Sequence, residues 1–418
     1  MKLTFLATLL LCFSASLVAQ TFVANYDESK MPAYTLPDPL VFNNGLPVKS
    51  KSDWKMRRIE LVNLFENVEY GTTPVGNVRM SSVLLSENLN AFDGKAIRRE
   101  VQLKLERDGA EVLMNVLLYL PKSVKPVPLI VGYNFNGNHT VAKDPEIAIT
   151  TSWLKSRGST SDNSIPESQR GNDAQSWPIA DVIARGYGVV TIYCGDADPD
   201  FDDGFKNGVH ALFKETRTSS SWGTVAGWAW GLSRVMDYLE KVKEINSKQI
   251  AVLGHSRLGK AALWAGVKDT RFALVISNES GCGGAALSKR IYGETVGRIN
   301  TSFPHWFCEN FRKYNLKEED LPLDQHELLA LIAPRPLYVC SAEEDQWSDP
   351  KGEFLSCVGA SPVYQLLGKV GFPGKDFPDL QKPVLGTIGY HIRPGKHAIN
   401  QYDWSCFMDF ADKSFKKN

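Results

Sequence analysis

Short apolar runs recur along the chain, with longer stretches of helical character between them. The runs lie at residues 128–131, 188–193, 250–253, 273–277 and 336–340. Bare runs rich in Val, Ile and Leu are typical of strands buried on both faces of a parallel sheet. Helices are predicted at residues 179–185, 223–245 and 259–267. This alternation predicts an α/β fold with a mostly parallel central sheet and helices on both faces.

The first 19 residues form a segment of their own. Met1-Lys2 supplies a positive charge, the stretch from Leu3 to Val18 is almost wholly apolar, and small Ala19 precedes polar residues. The apolar run is too short to span a bilayer comfortably, so residues 1–19 are predicted to be a secretory signal peptide. Leu17 stands where a small residue is usual, which leaves the exact cleavage site open. We expect a secreted or periplasmic protein.

Two further segments follow the predicted signal peptide. Residues 20–95 carry several prolines in a polar background and are predicted to be an irregular N-terminal segment packed on the main domain. Residues 96–105 and 112–120 alternate as two antiparallel strands around Arg107-Asp108-Gly109. Residues 96–418 are therefore predicted to form one catalytic domain.

Composition excludes several classes of protein. The 418 residues hold 47 Lys+Arg and 47 Asp+Glu, and this lack of net charge argues against binding to nucleic acid. After residue 20 no apolar stretch is long enough to span a membrane, so we expect no membrane association after signal cleavage. We also expect a monomer. Six cysteines would remain, too few for a disulfide framework, and their disulfide status stays open. Without CxxC, HxH or HExxH spacing, neither a metal nor another cofactor is expected.

An apolar strand, a tight turn and an Ala-rich helix meet at Ser256. The segment reads Ile250-Ala-Val-Leu-Gly-His-Ser-Arg-Leu-Gly-Lys260. This order is typical of a nucleophile elbow, in which a strained turn projects the serine Oγ from the edge of the sheet. Gly254 and Gly259 let strand and helix approach closely, although Leu258 replaces the usual second glycine. Ser256 is the candidate nucleophile, and a strand-turn-helix with an incidental serine is the alternative.

A nucleophilic serine needs a base and an acid that orients the base, and in this fold both follow later in the chain. His397 lies in a Pro/Gly loop before a final helix and is the candidate base, whereas His391 beside Gly389-Tyr390 is interpreted as structural. Asp345 follows the strand at 336–340, and Glu279 follows the strand at 273–277. The spacing does not choose between these two acids.

Together these residues resemble the glucuronoyl esterases of carbohydrate esterase family 15. The motifs that carry the resemblance are the elbow with Arg257 and Lys260, Glu279–Gly284, Gly293-Glu294, Asp345-Gln-Trp347 and His397. The resemblance covers the chain from about residue 96 onwards and implies an α/β-hydrolase fold. It also implies hydrolysis of the ester between a 4-O-methyl-glucuronic acid branch of glucuronoxylan and a lignin alcohol, without a cofactor.

The same resemblance implies a role for each residue. Ser256 would be the nucleophile and His397 the base, with Glu279, Asp345 or both as the acid. Arg257 would assist the oxyanion hole. The residues expected to bind hydroxyls of the uronate ring are Lys260, Glu294 and Trp347. One departure is His255, which stands where fungal members have a bridged cysteine, so this chain resembles the bacterial members and that disulfide is not expected.

The residue types around the elbow suit this chemistry independently. A guanidinium next to the nucleophile supplies charged donors to an oxyanion, and donors fixed in advance there are worth several kcal/mol. Lys260 lies three residues after Arg257, so both can face one pocket. Positive charge at a helix N-terminus opposes the macrodipole, which argues against the alternative of two solvated side chains. For Trp347 the alternative is a place in the core.

Three other functions remain open from the sequence. The first is another carbohydrate esterase, such as an acetyl-xylan esterase, which needs no contacts to a uronate ring. The second is an inactive hydrolase fold that only binds polysaccharide, against which the complete set of serine, histidine and acid argues. A peptidase is more distant, because no separate domain restricts access of peptides. The polar segment Asn134–Thr140 either lines the oxyanion side of the pocket or is an ordinary turn.

Overall fold

A ten-stranded, mostly parallel sheet organises the molecule, in a computed structural model that describes residues 22–152 and 166–415. The strands are β1 Arg79–Asn90, β2 Ala96–Arg107, β3 Ala110–Pro121, β4 Val127–Asn134, β5 Gly188–Tyr193, β6 Ile245–His255, β7 Leu274–Asn278, β8 Leu337–Ala342, β9 Val384–Leu385 and β10 Ile388–Arg393. Their order is β1-β2-β3-β5-β4-β6-β7-β8-β10-β9. Strands β5, β4, β6, β7, β8 and β10 run parallel, and the other pairings are antiparallel.

Helices cover both faces of this sheet. They are α1 Lys51–Val68, α2 Ala91–Gly94, α3 Ile179–Ala184, α4 Cys194–Ala197, α5 Thr224–Leu239, α6 Arg257–Lys268, α7 Val296–Ser302, α8 Gln325–Ala330, α9 Pro350–Leu366 and α10 Gln401–Phe415. The parallel strands divide their side chains between two cores. In β6, Val252 belongs to the core that includes side chains of α1, α5, α6, α8 and α9, whereas its neighbour Ala251 belongs to the core that includes side chains of α3 and α10. The predicted α/β-hydrolase architecture is confirmed.

The parallel strands place the chemistry at one edge. Ser256 follows β6 and Glu279 follows β7, while Asp345 lies three residues beyond β8 and His397 four residues beyond β10. These strands are neighbours in the sheet, and the carboxyl ends of parallel strands share an edge. Residues from four separate parts of the sequence therefore meet at one place.

The expectation that residues 20–95 are irregular is wrong for two parts of that segment. Residues Lys51–Val68 form an 18-residue helix, which begins with a capping box between Ser50 and Asp53. Residues Arg79–Asn90 form an edge strand paired with β2, so the main sheet extends into this segment. The predicted helix at 223–245 is also shorter than expected, because Ile245 already pairs with Val127 in the sheet.

The predicted signal peptide lies outside the described residues. Within the part of the chain that the structure describes, no helix is long and apolar enough to cross a membrane. The cysteines after residue 20, all described, are free and buried, and they are Cys194, Cys282, Cys308, Cys340, Cys357 and Cys406.

Candidate active site

Ser256 occupies a strained turn between β6 and α6. Its backbone has φ 56° and ψ −133°, a left-handed conformation that an L-residue adopts only under constraint. Neighbouring chain supplies the constraint, because the Ser256 amide donates to the Asn278 carbonyl at 2.9 Å and the Ser256 carbonyl accepts from the Gly259 amide at 2.8 Å. A Cβ at Gly254 would lie 2.0 Å from the Leu258 carbonyl oxygen, so only glycine fits there. This is the geometry predicted for a nucleophile elbow.

One ring nitrogen of His397, Nδ1, faces two carboxylates. Its Nδ1 lies 2.7 Å from Asp345 Oδ2 and 3.1 Å from Glu279 Oε2. Because both acids engage Nδ1, the other nitrogen, Nε2, is left for proton exchange. The two acids that the sequence did not separate therefore both reach the histidine.

The charges of the three groups depend on one another. Burial by itself lowers the pKa of His397. The hydrogen bonds to Asp345 and Glu279 outweigh this effect and raise the pKa to about 9. Burial raises the pKa of Glu279 to about 7 despite His397 and Arg393 nearby. Burial also opposes ionisation of Asp345, yet the hydrogen bond from His397 keeps the pKa of that carboxyl below its ordinary value. Asp345 is thus the more firmly ionised partner of the histidine.

Arg393, at the end of β10, fixes the loop that carries His397. Its guanidinium donates to Glu279 Oε1 at 2.6 Å and to both carboxylate oxygens of Asp403 in α10. It also donates to three backbone carbonyls of the loop, those of Pro394, Lys396 and Ala398. Glu279 in turn accepts from the Ala398 amide at 3.0 Å. Arg393 was not predicted from the sequence, although its position four residues before His397 was a usable signal.

His255 lies beside the candidate base. The rings of His255 and His397 have centroids 4.5 Å apart. The Asn278 amide nitrogen lies 2.7 Å from His255 Nδ1 and also donates to the Ala398 carbonyl at 3.0 Å. Burial and the nearby charges of His397, Arg257 and Arg393 hold the pKa of His255 well below its ordinary value. The residue after Gly254 is therefore a neutral ring packed against His397.

One cavity of about 550 Å³ contains the elbow and the base. Ser256, Arg257 and His397 line it, together with Phe135 and Asn136 from the segment after β4. From the sequence, that segment was expected either to line the oxyanion side of the pocket or to form an ordinary turn. Its contribution to the wall supports the first interpretation.

Arg257 is held at the rim of this cavity. Its Nε lies 2.6 Å from Asp200 Oδ2, and its guanidinium lies 4.5 Å from the centre of the Phe135 ring. Asp200 also accepts from Trp306 Nε1 at 2.7 Å and lies 2.9 Å from His305 Nε2. Burial opposes ionisation of Asp200, but His305 and Arg257 outweigh it and lower its pKa. Asp200 was not predicted from the sequence, although it follows the carboxyl end of β5, where functional side chains are common.

The three candidate hydroxyl-binding residues form a neighbouring cluster. Lys260 Nζ lies 3.8 Å from Glu294 Oε2 and donates to the Ser280 carbonyl. The Glu294 amide donates to the Trp347 carbonyl at 2.9 Å, and the side chains of Glu294 and Trp347 share a hydrogen bond. Trp347 is half-buried and not part of the core. Lys260 lies one helical turn after Ser256, and charged and aromatic side chains clustered there suit a polyhydroxylated ligand.

Two groups of side chains in the described residues have metal-ligand spacing. His255, Glu279 and His397 form one, and Cys340, His391 and Asp403 form the other. Arg393 already donates to Glu279 and Asp403, while Tyr338 Oη lies 2.9 Å from His391 Nδ1. A cation would have to compete with the Arg393 guanidinium in either group. That no metal takes part stays a prediction.

Comparisons with known proteins agree with this geometry. A family described as glucuronyl esterase of fungi matches residues 182–368. A carbohydrate esterase of an unknown prokaryotic organism is 50% identical over 396 residues, which cover 93% of this chain and 91% of that protein.

Two solved structures extend the likeness to the whole fold. A promiscuous CE15 esterase from a marine bacterial metagenome superposes with a TM-score of 0.88 at 50% identity, covering 94% of this chain and 100% of that one. A glucuronoyl esterase from Solibacter usitatus gives a TM-score of 0.87 at 46% identity, covering 93% and 100%. The resemblance inferred from the motifs is confirmed. The chain belongs to carbohydrate esterase family 15, the glucuronoyl esterases, and is a carboxylic ester hydrolase.

Proposed function

We propose that this enzyme cleaves the ester between 4-O-methyl-glucuronic acid branches of glucuronoxylan and lignin alcohols, with Ser256 as nucleophile. The observation that carries the proposal is the shared cavity of the strained Ser256 and of His397, whose Nδ1 is held by two carboxylates. Family membership supports the glucuronoyl part of the substrate. The polar cluster beside the serine supports recognition of a sugar acid.

In the first half of the reaction, His397 Nε2 takes the proton of Ser256 as Oγ attacks the ester carbonyl carbon. The carbonyl oxygen becomes an oxyanion, which Arg257 and backbone amides at the elbow stabilise. The tetrahedral intermediate collapses, the bond to the alcohol oxygen breaks, and His397 donates the proton to the leaving alcohol. Asp345 and Glu279 hold His397 in the correct tautomer and stabilise the imidazolium while it exists.

In the second half, a water molecule attacks the glucuronoyl-Ser256 ester while His397 accepts its proton. Collapse of the second intermediate returns that proton to Ser256 Oγ and releases glucuronic acid. Lys260, Glu294 and Trp347 bind the hydroxyls of the uronate ring throughout and direct its carboxyl group towards Ser256. The contact between Lys260 and Glu294 close to the elbow, and the half-buried ring of Trp347 beside them, support this role.

The nucleophile is tested by Ser256→Ala with benzyl glucuronate as substrate. Turnover should fall by about 10⁴-fold or more, because the covalent step is lost. Binding of the free acid, measured by calorimetry, should be unchanged. Retention of more than a few per cent of turnover would exclude Ser256. Substrate class is tested in parallel, since the wild-type enzyme should prefer benzyl glucuronate to benzyl galacturonate and to acetylated xylan.

Shared duty of the two acids is tested by a double-mutant cycle. We expect Glu279→Gln and Asp345→Asn each to reduce kcat moderately, because the remaining carboxylate still faces Nδ1. The double variant should lose more than the product of the two single losses, since no acid is left to hold the tautomer. A double variant no slower than the poorer single variant would assign the role to one acid.

We also infer that residues 1–19 are a signal peptide and that the mature monomeric enzyme acts outside the cytoplasm. The apolar run from Leu3 to Val18 supports this. Expression of the full chain in a secreting host, followed by N-terminal sequencing of the product, should give a mature chain beginning near Gln20. A product that retains Met1 would contradict the inference.

A further inference from the structure

The segment Phe22–Glu28, called the N-terminal strap below, lies along the chain that leads into Glu294. At its far end, Glu28 pairs with Arg290 at 2.6 Å and with Lys351 at 3.1 Å. The Asn25 carbonyl accepts from the Gly293 amide at 2.9 Å. These contacts fix the strap to the residues immediately before Glu294.

Tyr292 connects the strap to the segment that carries Trp347. The Tyr292 hydroxyl donates to the Tyr26 carbonyl at 3.2 Å and lies 2.5 Å from Gln346 Oε1. The Tyr292 ring packs edge-on against the Tyr26 ring. Gly293 has φ 62°, and a Cβ there would lie 2.5 Å from the carbonyl oxygens of Gln346 and Trp347. The strap, Gly293 and the segment of Trp347 are therefore packed directly against one another.

Phe22, at the other end of the strap, contacts Trp347 itself. The two rings are edge-on, with centroids 6.0 Å apart. Phe22 is half-buried by this contact, whereas its neighbour Val23 is 83% exposed. Such aromatic pairs add about 0.5–1.5 kcal/mol beyond the area that they bury. The orientation of Trp347 thus depends on a residue that lies more than 300 positions earlier in the chain.

Arg298 lies against both aromatic rings. Its guanidinium carbon lies 5.3 Å from the Phe22 ring centre and 5.9 Å from that of Trp347. Burial raises the pKa of Glu294, and the positive charge of Arg298, like that of Lys260, opposes this rise. Among the described residues no carboxylate lies within ion-pair distance of this guanidinium, and its Nε is buried without a hydrogen-bond partner. Arg298 therefore has N–H donors that no described side chain uses, and it lies beside the cluster of Lys260, Glu294 and Trp347, which suits a ligand with hydroxyl groups.

We propose that the N-terminal strap places Phe22 in the sugar-binding site, where Phe22 holds Trp347 and Arg298 in place as one wall of the uronate pocket. The inference rests on the function proposed above. The uronate ring is uncharged while its carboxyl group is esterified, so aromatic faces and hydrogen bonds to its hydroxyls, including charge-assisted ones from the Arg298 guanidinium, hold it. Phe22 and Arg298 are thus specificity-determining residues for the sugar side of the ester.

The test compares Phe22→Ala with Val23→Ala on two esters of the same alcohol, benzyl glucuronate and benzyl acetate. Phe22→Ala should raise KM for benzyl glucuronate about tenfold, the combined effect of a lost ring pair and a lost cation–π contact. Its kcat should stay within about twofold, since Ser256 and His397 are untouched. Hydrolysis of benzyl acetate should not change. Val23→Ala should match the wild-type enzyme on both esters. Phe22→Tyr, which keeps an aromatic ring, should have the wild-type KM for benzyl glucuronate.

Three results would overturn the proposal. An unchanged KM for benzyl glucuronate would show that the wall is irrelevant to binding. Equal losses on both esters, with a lower melting temperature, would reduce Phe22 to a structural role. If Phe22→Ala does not fold, Arg298→Met provides the same KM comparison and the same contradicting outcomes. A wild-type enzyme that hydrolyses benzyl acetate but not benzyl glucuronate would contradict the proposed function itself, and this inference with it.

Discussion

At the scale of single residues, we expect the protonation state of His397 to decide when the enzyme is active. A base accepts the serine proton only while it is neutral, yet two carboxylates raise its pKa to about 9. The same interaction stabilises the fold below the unfolded pKa of histidine and loses that contribution as the pH rises through about 9. Stability and activity should therefore respond to alkaline pH in opposite directions.

A pH profile of kcat/KM measures this directly. In the wild-type enzyme the acidic limb should have its midpoint above the ordinary histidine value and towards 9. Asp345→Asn removes the nearer and stronger partner, so the pKa of His397 should fall and the limb should move to lower pH. Glu279→Gln should move it in the same direction by less. Coincident limbs in all three proteins would contradict this assignment.

The site shows what single residues reveal in a sequence and what they do not. Ser256, His397 and the two acids were predicted because each follows a recognisable strand or lies in a Pro/Gly loop. That both acids reach one nitrogen depends on loop conformations, which spacing does not encode. Arg393 and Asp200 were missed because a charged residue in a polar loop has the same sequence pattern whether it is solvated or buried.

At the scale of elements, β10 and α10 act together on the catalytic loop through Arg393. Removal of this side chain leaves Glu279 and Asp403 buried without their common cation. Breaking a buried pair in this way destabilises a protein by about 3–5 kcal/mol. Because Arg393 also holds three loop carbonyls, the loss should reach the chemistry as well as the fold.

Arg393→Met should lower the melting temperature, reduce kcat, and displace the acidic limb of the pH profile, since Glu279 and the loop of His397 are no longer fixed. Arg335→Met is the matched control, because Arg335 donates to the carbonyls of Gly266 and Phe272 at the opposite edge of the sheet. That control should lose stability while its kcat and pH profile stay as in the wild type. If both variants behave alike, Arg393 has no specific link to catalysis.

Whether an element can be predicted from sequence depends on where its information lies. Strand β5 has the predicted bounds, because Gly188–Tyr193 is an uninterrupted apolar run. Helix α1 was missed because its buried stripe is narrow and includes Arg57, although the Ser50 capping box marks its start. Strand β10 was missed because His391 and Arg393 interrupt its apolar character, and both are satisfied by Asp403 in α10. Such compensation becomes visible only in three dimensions.

At the scale of the whole molecule, the enzyme should not depend on disulfides. The six described cysteines are free and buried, and burial raises the pKa of thiols such as Cys194 and Cys340. Dithiothreitol should therefore leave the melting temperature and kcat/KM unchanged. Thiol titration should give almost no reaction in the native protein and about six thiols after denaturation. A lower melting temperature under reducing conditions would reveal a cross-link.

The two ends of the described chain lie at different places relative to the site, which matters when the enzyme is joined to something else. Phe22 packs on Trp347, so a purification tag or fusion partner placed ahead of it should emerge beside the residues that we propose to bind the sugar. Phe415 stacks with Tyr187 and accepts from Gln249, residues at the amino-terminal edge of the parallel strands. A carbohydrate-binding module or an immobilisation anchor is therefore better attached after Phe415, where it leaves access for polymeric substrate free.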